Sequence, residues 1–137
     1  NSKETSDQNT TKNIDLPKSK VKKPQNLKNI LSDDKLELLN HSYGKSFPDS
    51  ARSILGYFPN PPDLVAFPKT EKDISIVLDW ASSNDLAVVP YGGGSSVCGG
   101  GETNVGDDYK GVISLDMKNL NSIVEVDRES RTALIQG

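Results

Sequence analysis

Apolar and polar positions along residues 62–136 follow two periods, and the switches between them lay out the elements. Asp63-Leu-Val-Ala-Phe67 is a short apolar run closed by Pro68, which predicts a strand. From Ile74 the spacing changes. Ile74, Val77, Leu78 and Ala81 recur at i, i+3, i+4 and i+7, the single stripe of a helix. Thr70 and Asp73 stand where a capping box opens it, with Asp in place of the preferred Glu, and Asn84-Asp85 ends it. Ile76 and Trp80 lie four apart on a neighbouring face, so the helix is expected to be covered on more than one side. Trp80 is expected to pack in the core rather than stack on a ligand. Leu86-Ala-Val-Val89 is the next strand, and strand–helix–strand favours parallel pairing with a right-handed crossover. Further on, Gly111-Val-Ile-Ser-Leu-Asp116 reads as a strand, and Ser122–Asp127 and Arg131–Gln136 alternate with period two. Arg128-Glu129-Ser130 is short enough to join the last two as a hairpin. The expected architecture is α+β, a β-α-β unit followed by a β-meander.

Upstream the pattern is weaker. Asn60-Pro61-Pro62 is a boundary, because prolines force extended backbone and terminate helices. Residues 41–61 form a lead-in, with Ser50–Leu55 a helical turn stopped by Gly56 and His41–Pro48 a loop. A short helix entered at Ser32 or Asp33 ends over Leu36–Leu39. Residues 1–40 hold no aromatic, and LPKSKVKKPQNLK at 16–28 carries five lysines and no acid. Low hydrophobicity with high charge predicts a disordered or weakly structured segment that adds no core. A nucleic-acid-binding tail is the sharper reading of those lysines, but no aromatic interleaves with them and the chain is net −3.

Charge narrows the function class. Residues 41–137 hold eight Lys/Arg against thirteen Asp/Glu, which argues against a polyanion-binding surface and for recognition of a small ligand by local geometry. No apolar run approaches the roughly 20 residues of a membrane span. The single Cys98 excludes an internal disulfide, and with His41 as the only histidine no zinc-type ligand cluster exists. The chain reads as soluble, with its compartment open. It starts at Asn1 and ends at Gly137 directly after an apolar run, the pattern expected of a piece cut from a longer protein.

The candidate chemistry lies after Val89, in Pro90-Tyr91-Gly92-Gly93-Gly94-Ser95-Ser96-Val97, followed by Cys98-Gly99-Gly100-Gly101. Glycine removes the Cβ that blocks close approach of the backbone. Successive N–H groups can then converge into an anion-binding nest without a Lys or Arg, and Ser95 and Ser96 add hydroxyl donors. By composition alone the run is either a phosphate cradle or a plain surface loop. Two known phosphate motifs are excluded. A dinucleotide fingerprint G-x-G-x-x-G fits Gly92 and Gly94, but Val97 stands at the third glycine and no helical period follows. Gly44-Lys45-Ser46 ends like a P-loop, but Leu39 occupies the required upstream glycine and no strand precedes it.

In order, these parts resemble the start of the flavin-binding domain of the vanillyl-alcohol oxidase/p-cresol methylhydroxylase (PCMH-type) family. The stretch PDLVAFPKTEKDISIVLDWASSNDLAVVPYGGGSSVCGG is similar to that family's strand ending in Pro, helix, and strand leading into P-x-G-G-G-T/S-S. GVISLDMKNLNSIVEVDRESRTALIQG resembles its S-L-D turn and the strand pair after it. YGKSFPDSARSILGYFPNPPD is similar to the lead-in of a narrower branch, the alkyldihydroxyacetonephosphate synthases and bacterial FAD-linked oxidases.

The resemblance implies that residues 62–137 are the first, amino-terminal part of an FAD-binding domain, with Pro90, Tyr91, Gly92, Gly93, Gly94, Ser95, Ser96 and Val97 around the cofactor pyrophosphate. Covalent members carry His directly after the loop glycines; Ser95 stands there, so FAD is expected to be non-covalent. It further implies a flavin-dependent oxidoreductase acting on a small molecule such as a 2-hydroxy acid. The alternatives are a synthase-type transferase of ether-lipid synthesis, which would be peroxisomal in a eukaryote, and a non-catalytic anion-binding fragment. Catalytic residues are expected in the missing carboxyl-terminal half and cap, so the piece alone is expected to be inactive. Within it, His41 reads as a capped or exposed loop histidine. Cys98 reads as a small packed residue, without a cationic neighbour to lower its pKa.

Overall fold

The computed structural model describes residues 14–136. Helix α3 (Glu71–Ser83) forms where its cap predicts. Asp73 donates its N–H to Thr70 Oγ1 at 3.1 Å, and its carboxylate accepts the N–H groups of Thr70 at 3.0 Å and Lys69 at 2.9 Å. These bonds, the one from Lys69 foremost, hold the Asp73 carboxyl below its ordinary range. Asn84 caps the far end, and Asp85 takes the left-handed conformation (φ 56°) that short polar side chains tolerate. The buried stripe is turned slightly from the predicted one. Val77 and Ala81 are buried with Ile74 and Trp80 packed beside them, whereas Leu78 is 44% exposed and Ile76 also faces out. Trp80 is therefore a packing residue, and the expected cover over Ile76 is absent among the described residues.

Strands β1 (Leu31–Ser32), β2 (Leu64–Ala66), β3 (Leu86–Tyr91) and β4 (Gly111–Asp116) form one sheet in the order β1-β2-β4-β3. β2, β4 and β3 are parallel, and β1 lies antiparallel on the edge. Leu64, Ala66, Ile113, Leu115, Leu86 and Val88 share the face that meets α3. The β-α-β unit is present, but its two strands are not neighbours: β4 lies between them instead of opening a meander. Two features favour that place. All six residues of β4 are buried, as befits a strand covered on both faces. The long segment 92–110 also supplies the dozen or more residues a parallel connection needs.

The expected meander reduces to a hairpin, β5 (Ile123–Asp127) with β6 (Thr132–Ile135), in a sheet of its own. Its turn is held by the Asp127 carboxylate, which accepts the N–H groups of Glu129 and Ser130 and the Ser130 hydroxyl, while Arg131 adopts φ 55°. Ile123, Val124, Val126, Leu134 and Ile135 are all exposed. An uncovered two-stranded hairpin is marginal by itself. In native-state hydrogen exchange on the 137-residue chain, the amides of β5 and β6 are expected to exchange through openings of near-zero free energy, and those of Ile113–Leu115 to be the slowest. Equal protection in the two regions would contradict that ranking.

The amino-terminal stretch corrects another expectation. Leu27 and Leu31 sit in the main core and Leu39 in a second cluster with Tyr43 and Phe58. Isolated leucines raise the average hydropathy of a polar stretch only slightly, yet Leu27 and Leu31 join a core built on strands further along the chain. The 16–28 lysine segment is described; what was expected of residues 1–13 lies outside the described residues. Helix α1 (Lys35–Asn40) is capped by the Asp34 carboxylate, one to two residues later than predicted. Helix α2 (Phe47–Ile54) begins earlier, because Ser46 and Asp49 form a capping box around Pro48.

Candidate cofactor-binding site

The glycine run leaves the sheet at the carboxyl end of β3, beside the carboxyl end of β4, with Tyr91 and Asp116 as register partners. Carboxyl ends of parallel strands are where such sheets place ligands. Its glycines divide into two kinds. Beside Gly92 a Cβ would meet nothing within 4 Å, and beside Gly93 only Ser95 Oγ at 3.9 Å. Gly94 has φ 63°, and a Cβ there would collide with the Tyr91 hydroxyl. Gly44 of the lead-in is equally constrained, because a Cβ would strike the Ser96 carbonyl oxygen. Gly44 and Gly94 thus let protein pack on protein, and Gly92 and Gly93 leave space open.

That space is a cavity of about 280 Å³ lined by Pro90 to Ser96 with Gly44, Gly100 and Gly101. Seven of the eight residues expected at a cofactor therefore surround one cavity. Val97 does not line it and is 71% exposed. Among the described residues, none accepts a hydrogen bond from the backbone N–H of Gly92, Gly93, Gly94, Ser95 or Ser96. Backbone donors seldom stay unpaired except at water or a ligand, and a run of them beside a hollow is the donor set a diphosphate requires. Among the described residues no Lys or Arg lines the cavity. Ser95 is exposed; the Ser96 hydroxyl accepts the Gly100 N–H at 3.0 Å and lies 3.6 Å from the Cys98 sulfur.

The run is tied down at both ends. Lys45 donates its N–H to the Ser96 carbonyl at 2.8 Å, and the Tyr91 hydroxyl donates to the Asn40 carbonyl at 3.0 Å. Downstream, Glu102 pairs with Arg52 of α2 at 3.2 Å, and the Thr103 hydroxyl donates to the Asn60 carbonyl at 2.6 Å. Two side chains depart from expectation. Cys98 is exposed rather than packed, and the Ser96 hydroxyl 3.6 Å from its sulfur, followed by the Gly100 backbone, lowers its thiol pKa without any cation. His41 caps the carboxyl end of α1, as one half of the expectation had it, but it is buried rather than exposed, 2.9 Å from Asp116, a partner 75 positions away that no local pattern announces. Among the described residues no group of three His, Cys, Asp or Glu could hold a metal ion, and no helix is long and apolar enough to cross a membrane.

Parallel strands feeding a glycine loop whose amides line an open cavity fit a nucleotide-phosphate site, and the chain belongs to the FAD binding domain family, which matches residues 62–137. FAD is accordingly the cofactor, as the resemblance implied. The chain is 35% identical over 128 residues to alkyldihydroxyacetonephosphate synthase of Trypanosoma brucei brucei, covering 88% of this chain and 21% of the synthase. It is 33% identical to glycolate oxidase subunit GlcD of Bacillus subtilis (strain 168), over 78% of this chain and 23% of that subunit. A solved structure of an alkyldihydroxyacetonephosphate synthase superposes with TM-score 0.79 at 30% identity, covering 92% of this chain and 24% of that one. The chain therefore spans between a fifth and a quarter of the length of these relatives.

Proposed function

We propose that this chain is the amino-terminal portion of the FAD-binding domain of a longer flavoenzyme, and that it holds the diphosphate of FAD without a covalent bond. The five unpaired N–H groups from Gly92 to Ser96 around one cavity carry the reading. Ser95 offers a hydroxyl at the position after the glycines where covalent members have His. Bound FAD supplies a hydride acceptor. The part played by these residues is to bind and orient it. The activity proposed for the whole protein is oxidation of a small 2-hydroxy acid or related alcohol, in line with the likeness to the glycolate oxidase subunit.

One observation favours a second reading, an acyl-for-alkyl exchange of the alkyldihydroxyacetonephosphate synthase type. The likeness to the synthases covers 88% of the chain by sequence and 92% by structure, reaching well upstream of residue 62 where the family match begins. Either way the substrate is a small molecule and the rest of the parent chain supplies its site.

Acid precipitation of the full-length parent is expected to release all flavin to the supernatant. Flavin retained in the pellet would rule out the non-covalent link, and a colourless protein would remove the reading altogether. Two anaerobic additions then separate the activities: lasting bleaching of the yellow absorbance by 2-hydroxy acids marks the oxidase, and release of the carboxylate from an acyl ester in exchange for an added long-chain alcohol, without net flavin reduction, marks the synthase.

A further inference from the structure

His41 is the only histidine of the chain and is 3% exposed. Both of its ring nitrogens face oxygen acceptors. Nδ1 lies 2.7 Å from the Glu37 carbonyl, one turn back in α1, and Nε2 lies 2.9 Å from Asp116 Oδ2 at the end of β4. The ring therefore sits within hydrogen-bond reach of an oxygen on each side and clamps the lead-in to the sheet. Its face rests on Tyr91, with centroids 4.3 Å apart, and its edge meets Phe67 at 5.8 Å. Asp116 is itself held, since Oδ1 accepts the Lys118 N–H at 2.8 Å and the Lys118 ammonium lies 3.5 Å from Oδ2. The Glu37 carboxylate is 3.8 Å from Nδ1.

From this clamp the contacts run directly into the glycine loop. Tyr91, beneath the ring, bonds Asn40 through its hydroxyl and fills the space that a side chain at residue 94 would need. The same lead-in segment then sends the Lys45 N–H to the Ser96 carbonyl, with Gly44 pressed on that oxygen. We infer that His41, held by Asp116, is a positioning residue for FAD: it fixes Tyr91 and the 40–45 segment, and through them the aim of the Gly94–Ser96 amides. This rests on the reading of the loop as a diphosphate cradle. A nest acts as a site only when its N–H groups converge, so a loop released from its splint loses affinity even when every donor is still present.

The test is titration of FAD into the apo form of the full-length parent, at a temperature where each apo variant is folded by circular dichroism. His41→Ala and Asp116→Ala are expected to weaken FAD binding about ten- to hundredfold, the loss that follows removal of a buried charge-assisted hydrogen bond. Asp116→Asn is expected to stay within about threefold of the parent. The Lys118 N–H keeps its carbonyl oxygen in place, so its amide group faces Nε2 and replaces the carboxylate as the hydrogen-bond partner of the ring. A merely structural role would lower the melting temperature of all three variants and leave affinity in the folded protein unchanged. If Asp116→Ala does not fold, Tyr91→Phe, which deletes only the hydroxyl to Asn40, is expected to weaken binding severalfold, and unchanged affinity there overturns the inference. Gly93→Val serves as the reference. If it abolishes binding while the His41 and Asp116 variants bind like the parent, the positioning role fails alone; if it binds normally, the cradle itself is elsewhere and this inference falls with it.

Discussion

Gly93→Val is expected to abolish FAD binding by the full-length protein while leaving its thermal transition within about 2 °C of the parent's. The structure separates these two effects. A Cβ at residue 93 meets no protein atom closer than Ser95 Oγ at 3.9 Å, and the backbone there has no positive φ to strain. What it fills is the open side of the cavity, where amides must come within hydrogen-bond reach of a phosphate. Loss of two charge-assisted bonds lowers affinity on the order of a thousandfold. Gly94→Val is expected to act differently, since its φ of 63° and the Tyr91 hydroxyl both oppose a branched side chain. It should lose FAD and also melt several degrees lower. Ser95→Ala, which removes one exposed hydroxyl, should cost about 1–2 kcal/mol, roughly a factor of ten. Fluorescence titration with FAD and calorimetry on the same samples check both halves. If Gly93→Val binds FAD like the parent, the diphosphate does not sit on this loop.

How much of this was legible depends on how far apart the interacting residues lie. The α3 cap is a four-residue signal, Thr70 to Asp73, and it is present in the structure. The glycine loop follows its strand directly, and the β5–β6 turn needs only residues 127–131. Signals of that span are written locally. The Ser46–Asp49 capping box has the same span and was readable too, but Phe47-Pro48 suggests a loop, and α2 then presents Phe47, Ile54 and Leu55 to solvent while burying Asp49. A rule that turns apolar stripes inward has no grip on such a helix. The position of β4 between β2 and β3 is not encoded in any window, because it is decided by which edge offers the better partner after the 92–110 segment returns. The His41–Asp116 pair belongs to the same class. Each residue is unremarkable in its own neighbourhood, and only the sheet brings them to 2.9 Å. Leu27 and Leu31 belong here too: the lysines around them set the average, while the two leucines set the docking.

Asp63→Ala is expected to release the amino-terminal segment and raise tryptic cleavage after Lys20 and Lys22 about a hundredfold in the full-length parent. Asp63 reads in the sequence as the first residue of a strand, yet it is 8% exposed and its carboxylate gathers donors from two directions. Oδ2 accepts the Val112 N–H at 2.9 Å, at the start of β4. Oδ1 accepts the Lys20 N–H and, at 3.2 Å, the Ser19 hydroxyl. Gly111 completes the junction, since a Cβ there would lie 2.7 Å from Oδ2 and collide with Val21. Removing the carboxylate strands a buried Val112 N–H and unties residues 19 and 20 together, a loss of about 3 kcal/mol for charge-assisted bonds. That energy is roughly a hundredfold in the opening equilibrium, and cleavage follows the open population when reclosing is fast. Asp63→Asn retains one acceptor oxygen and turns a donor toward the other pair, so its cleavage rate should fall between parent and Asp63→Ala. Mass spectrometry of the released peptides assigns each cut to its lysine. A rate in Asp63→Ala equal to the parent's would mean that Leu27 and Leu31 alone hold the segment, and that the carboxylate adds nothing to its docking.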